Sequence, residues 1–223
     1  MSDTCTQWGD IPVLIDTPAR PRALVILAHG AGLGMDSPFM GEMATALAAA
    51  GLHVVRFEFP YMARRRRGEG KPPPNRMPVL VESWSAMIAA ARERTALPIY
   101  LAGKSMGGRA ASEWLAVHAG AGAGVAGGIA YGYPFHPPAR PGALRTAHLV
   151  GLQKPLLILQ GTRDPFGKPQ EVTGYDLGVH TNVVWLDSGD HDYKPLKKSG
   201  RTQSQLIAEA ASASATFVQT TSR

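Results

Sequence analysis

Cysteine is nearly absent: Cys5 is the only one in 223 residues. A single thiol makes no internal disulfide and no multi-cysteine metal centre, so the expected setting is reducing and cytoplasmic. Long apolar runs are missing too. The longest, such as Ala23–Ala28 and Pro155–Leu159, fall far below the ~20 residues of a membrane helix. The first twenty residues carry Asp3, Asp10 and Asp16 and no apolar centre, which is not the pattern of a secretory signal. The 25 glycines and 18 prolines follow no collagen-like or low-complexity period, so they mark turns. What is present is ample apolar material, 44% of the chain. That is enough to bury the core of one compact domain spanning residues 1–223.

An excess of one charge sign is also mostly missing. The net charge is +6, but residues 64–76 hold Arg64, Arg65, Arg66, Arg67, Lys71 and Arg76 against Glu69 alone. Elsewhere acid and base nearly balance, which excludes a broadly basic nucleic-acid-binding domain. No aromatic residue is interleaved with the arginines to stack on bases. Neither nucleic acid nor membrane is an expected partner. The arginine stretch reads as a solvated, Pro-rich loop. Functional readings of it are attraction of anionic substrates, or a surface for a binding partner.

Strand-like and helix-like segments alternate. Ile11–Ile15, Ala23–Ala28, His53–Phe59, Ile99–Ala102, Ile129–Tyr133, Pro155–Gln160 and Asn182–Leu186 read as strands. Phe39–Ala50 (after Ser37 and Pro38), Val79–Thr95, Met106–Val117 and Gln203–Ala213 read as helices. Residues 119–128 read as loose, and residues 142–150 as one short helix. Continuous apolar strands suit a sheet buried on both faces, and the intervening helices suit parallel crossovers. The expected fold is therefore α/β: a mostly parallel, open, twisted sheet with helices on both faces.

In such sheets chemistry gathers at the carboxyl ends of the strands. Four segments follow strands: His29-Gly30-Ala31-Gly32, Gly103-Lys104-Ser105-Met106-Gly107-Gly108, Gly161-Thr162-Arg163-Asp164-Pro165 and Asp187-Ser188-Gly189-Asp190-His191. The second is G-x-S-x-G between a strand and a helix. A sharp turn there lifts the serine hydroxyl clear of the sheet, and only small residues fit two before and two after it. A serine hydroxyl needs a base to take its proton and a carboxylate to orient that base. The chain order Ser105, Asp164, His191 supplies both after later strands. His53 and His180 lie at the amino ends of strands, His29 precedes the serine, His118 ends a helix, and His136 and His148 sit in a connecting loop. Asp187 is the rival acid. The backbone N–H of Ala31, paired with that of Met106, suits an oxyanion hole, with Gly32 a second candidate donor. Nucleotide loops are excluded: a dinucleotide fingerprint starting at Gly30 needs glycine where Met35 stands, and a phosphate loop ending at Ser105 needs glycine where Pro98 stands.

These four segments together resemble the α/β-hydrolase fold superfamily, in its small, cap-free branch near the dienelactone hydrolases. The stretch FEFPYMARRRR…GKPPPNR resembles bacterial hydrolases that share a domain family with the testis-expressed protein 30 group. The resemblance spans roughly residues 10–217. It implies Ser105 as nucleophile, His191 as base, Asp164 as acid, Ala31 and Met106 as oxyanion donors, and no metal or organic cofactor. Dienelactone hydrolases carry a cysteine where this chain has Ser105, so their substrate does not transfer.

Larger relatives insert a helical cap before the acid-bearing strand. The segment between Tyr133 and Pro155 is too short for one, so an open site for small ester or thioester substrates is expected. Tyr61, Phe135 and Phe166 are the candidate lining residues.

Overall fold

The computed structural model describes residues 5–118 and 124–222. Among these, eight strands make one sheet: β1 Thr6–Trp8, β2 Ile11–Asp16, β3 Leu24–Ala28, β4 His53–Phe57, β5 Ile99–Lys104, β6 Val125–Tyr131, β7 Leu156–Gly161 and β8 Thr181–Leu186. Their spatial order is β1-β2-β4-β3-β5-β6-β7-β8. β1 and β2 are antiparallel to their neighbours, and every pairing from β4 to β8 is parallel. The helices are α1 Pro38–Ala49, α2 Pro60–Arg66, α3 Met77–Arg92, α4 Met106–Val117, α5 Pro169–Val172 and α6 Gln203–Thr221.

Both faces of the sheet are covered, which explains the unbroken apolar strands. Along β3, Leu24, Ile26 and Ala28 point into the core beneath α3 and α4. Val25 and Leu27 point into the opposite core beneath α1 and α6. Trp84 of α3 is fully buried, edge-on to Phe57 and Phe59. From β3 the chain crosses to β4 on one side, then to β5 on the other. The reversal opens a crevice at the carboxyl ends of β3 and β5, where ligands of such sheets bind.

The structure corrects five local expectations. Pro60–Arg66 is helical, with Pro60 in the first turn where its missing N–H costs nothing. Strand β6 starts at Val125, so residues 125–128 are strand; residues 119–123 lie outside the described residues. Gly127 and Gly128 hid that strand from the composition. A Cβ on Gly127 would meet the Pro155 carbonyl at 2.7 Å, and one on Gly128 the Leu115 side chain at 2.7 Å. Residues 142–150 form turns, tied down where Arg145 N–H donates to Phe135 O and Tyr133 Oη–H to Arg145 O. Helix α6 runs on to Thr221 because Tyr100 of β5 reaches its last turn, at Thr221 Oγ1 (2.8 Å). Thr6–Trp8 adds an edge strand that carried no apolar signal.

Between β6 and β7 the described chain holds no helix, so no cap covers the sheet's carboxyl edge. No helix among the described residues is long and apolar enough to cross a membrane.

Candidate active site

Strand β5 delivers the chain into a strained turn. Ser105 has φ 51° and ψ −113°, a conformation rare for a side-chain-bearing residue, and α4 starts at the next position. Three glycines permit it. A Cβ on Gly107 would sit 2.6 Å from His29 O and 2.8 Å from Ala28 O. A Cβ on Gly103 would strike the Gly107–Gly108 peptide, and one on Gly108 would meet Gly103 O at 2.6 Å. The obstructing atoms are backbone, which cannot swing aside. Gly107→Val is expected to lower the unfolding free energy by at least ~1–3 kcal/mol. Urea unfolding of the variant checks this, and an unchanged midpoint refutes it.

The later strands bring the partners. His191 follows β8, and its Nε2 lies 2.9 Å from Ser105 Oγ. Asp164 follows β7, and its Oδ2 lies 2.8 Å from His191 Nδ1. Asp164 is wholly buried, and its remaining capacity is filled by Phe166 N–H on Oδ1 (2.9 Å) and Gln160 Nε2 on Oδ2 (2.9 Å). Gln160 cannot present its other face, since its Oε1 accepts Tyr133 N–H (2.7 Å). The carboxylate meets only donors, so His191 carries its proton on Nδ1. Its bare Nε2 then faces the serine hydroxyl. Asp187, the rival acid, is exposed at the end of β8 and does not bond to His191.

The loop after β3 completes the arrangement. Tyr61 Oη–H donates toward the carbonyls of Gly30 and Ala31, 3.0 Å each. His29 Nδ1–H donates to Gly30 O (2.6 Å), and His29 Nε2 accepts Phe59 N–H (3.1 Å). Tyr61 thus ties down both carbonyls of the loop; Ala31 borders both clefts at Ser105 and Gly32 one of them. Met106, the first residue of α4, has an N–H without an intrahelical partner. Ala31, Ser105 and Met106 line one cleft together.

Burial pushes the Tyr61 hydroxyl up to about 12, so it remains a donor. Burial pushes His29 down, against smaller upward pulls from the Gly30 carbonyl and Glu58. His53 and His148 are likewise lowered by burial. An imidazole held neutral in the fold takes its proton more readily once unfolded. These groups therefore stabilise the protein fully above pH ~6.5, and that contribution drains away as pH falls through their lowered folded values. Unfolding free energies measured at pH 7.5 and 5.0 are expected to drop, and to drop less in His29→Gln. An equal drop in the variant would remove His29 from the account.

Of the residues expected to line the site, only Phe166 does so. Its ring lies 4.4 Å from that of His191, and it borders clefts on both sides of Ser105. Tyr61 and Phe135 are buried and line neither cleft. Tyr61 instead supports the loop after β3, and Phe135 packs between Tyr133 and Tyr175. A period-based reading sees both as aromatic loop residues and cannot see what covers them.

Lys104 is the residue that sequence reasoning underrated. It is buried, its Nζ donates to His191 O (2.8 Å), and it lies 3.4 Å from Asp192 Oδ1. Burial lowers its ammonium pKa, and Asp192 opposes that shift. The residue beside the serine thus holds the loop that carries the histidine.

The arginine run is likewise not a free loop. Arg66 bridges Glu58 (2.6 Å) and Asp36 (2.9 Å), which raise its pKa further. Arg64 and Arg67 share Glu69. Arg65 donates to Pro72 O and lies 5.2 Å from the Tyr61 ring centre.

A family model described as an alpha/beta hydrolase domain matches residues 21–219. The chain belongs to that family. Solved structures share the architecture. An alpha-beta serine hydrolase homologue from Coxiella burnetii superposes with a TM-score of 0.68 at 20% identity, covering 96% of each chain. A dienelactone hydrolase from Anabaena variabilis gives a TM-score of 0.70 at 17% identity, covering 98% of this chain and 96% of its own. A serine hydrolase "without lid" from Xanthomonas campestris gives 0.64 at 20%, covering 90% and 86%. At these identities the likeness is one of fold. The words "without lid" of the last agree with the uncovered sheet edge of this alpha/beta hydrolase.

Proposed function

We propose that this alpha/beta hydrolase is a serine esterase or thioesterase acting on small acyl substrates through a covalent acyl-enzyme. One observation carries the reading: the unbroken chain from Ser105 Oγ through His191 to the buried Asp164, at 2.9 and 2.8 Å. These distances suit direct proton transfer. Ser105 Oγ attacks the substrate carbonyl carbon while its proton passes to His191 Nε2. The carbonyl π electrons move to oxygen, which the N–H groups of Ala31 and Met106 receive. Collapse expels the alcohol or thiol, protonated by His191. Water, deprotonated by the same Nε2, then attacks the acyl carbon and frees Ser105. Asp164 orients the imidazole and stabilises its charged form without taking the proton. The names of the two serine hydrolase neighbours agree with this chemistry.

Two clefts of about 320 and 340 Å³ meet at Ser105, room for a small acyl group and its leaving group. A binding role for the arginine run has little support, because each of its four guanidiniums is engaged within the chain. The test is labelling with a fluorophosphonate, read by intact mass. One adduct on the wild type and none on Ser105→Ala is expected. No adduct on folded wild type overturns the proposal.

A further inference from the structure

The two clefts that meet at Ser105 differ in chemistry. One is lined largely by Gly30–Leu33, Phe39, Met40 and Phe166. The other is lined by Asn75, Met77, Leu80, Arg109, Pro134 and Arg145, among others, and by no acidic residue. Its two cations come from different elements. Arg109 stands one turn after the serine on α4, and Arg145 stands in the connection between β6 and β7. Their states differ as well. Arg109 is paired with Glu113 at 3.1 Å, which also faces His148. The Arg145 guanidinium makes no hydrogen bond or ion pair among the described residues, although its backbone is held at both N–H and C=O.

Arg109 thus has its anion in Glu113, and Arg145 is the guanidinium of this cleft without one among the described residues. Arg145 is in fact pushed down in pKa, first by burial and then by Arg109. The backbone ties fix where Arg145 sits while leaving its side chain unspent. The side-chain amide of Asn75, whose Oδ1 is already taken by Tyr61 N–H (2.9 Å), leaves N–H donors for the same cleft.

We infer that the cleft of Arg145, Arg109 and Asn75 is a subsite for a carboxylate. The substrate is then an ester or thioester with a carboxylate on one side of the scissile bond. This rests on the reading of Ser105 as nucleophile. A carboxylate fits better than a phosphate because Glu113 neutralises Arg109 and leaves a single open charge. The planar fork of Arg145 matches a carboxylate in two parallel hydrogen bonds. The cleft is bounded by Ser105 itself, so the carboxylate lies only a few bonds from the reacting carbonyl.

Two ester pairs test the inference on either side of the bond. With the charge on the acyl side, the 4-nitrophenyl monoester of glutaric acid is compared with its methyl ester. With the charge on the leaving group, 4-acetoxybenzoate is compared with methyl 4-acetoxybenzoate. In one pair, kcat/KM for the free acid is expected to exceed that of its methyl ester roughly tenfold or more, as a charged hydrogen-bonded pair warrants. Arg145→Gln should bring that ratio to about one and Arg145→Glu should invert it. Arg64→Gln, an exposed arginine outside the cleft, should leave it. The preference should also weaken with added salt. Hydrolysis of the neutral esters with no preference for either acid overturns the subsite and leaves the esterase reading intact. A preference that survives Arg145→Glu does the same. No turnover of any of the four, with no fluorophosphonate adduct, removes the esterase reading and the subsite with it.

Discussion

Ser105→Ala is expected to lose ester turnover by a factor on the order of 10⁶, with the fold intact. The size follows from what the hydroxyl does. In the proposed reaction it is the atom that forms the covalent bond, and without it His191 has only water to activate, with no acyl-enzyme to split the reaction into two easier steps. Residual rate over solution would come from the Ala31 and Met106 donors and from binding alone. Stability should move little. The substitution removes one oxygen and its 2.9 Å hydrogen bond to His191, and it keeps the Cβ that the strained turn already tolerates. Steady-state hydrolysis of 4-nitrophenyl acetate, with thermal unfolding in parallel, measures both. Turnover in the alanine variant within tenfold of wild type would show that another group performs the chemistry.

Asp164→Asn should cost about 10⁴-fold in kcat, although it removes no atom from the triad's outline. Every neighbour of the carboxylate is a donor: Phe166 N–H on one oxygen, Gln160 Nε2 and His191 Nδ1–H on the other. An asparagine must turn its NH₂ toward one of these sets. Facing Phe166 N–H leaves two buried donors opposed. Facing His191 forces the imidazole into the other tautomer, with its proton on Nε2, directed at Ser105 and unable to act as base. Gln160 cannot relieve the conflict by flipping, because Tyr133 N–H fixes its oxygen. The variant should therefore show a kcat collapse with KM little changed. A loss of less than tenfold would mean that His191 is oriented by something other than this carboxylate.

The motif positions were legible because each combines a local rule with a place in the chain order. Gly103 and Gly107 announced a turn that excludes side chains, and Ser105 stood at its apex. Asp164 and His191, the expected acid and base, followed after successive strands. The aromatic candidates were not separable in this way. Tyr61, Phe135 and Phe166 have similar local surroundings in the sequence. Which ring faces the cleft depends on the elements packed over it, and two of the three are covered. The arginine run is largely exposed, as its composition signals, but composition could not show that it is ordered: Glu58 and Asp36, near in space to Arg66, lie outside the run.

The sequence by itself determined the α/β sheet, the place of Ser105 on a sharp turn after a strand, and the order in which Asp164 and His191 follow it. Those depend on periodicity, on glycines at fixed offsets and on strand ends, all of which are short-range properties of the chain. Tertiary structure alone decided that Lys104 anchors His191, that Tyr61 aims the loop after β3, and that Arg145 stands open beside Ser105. Each joins residues from separate elements, 87 and 31 positions apart for the first two. The sheet brings those elements to one edge, and no local pattern encodes which side chains meet there.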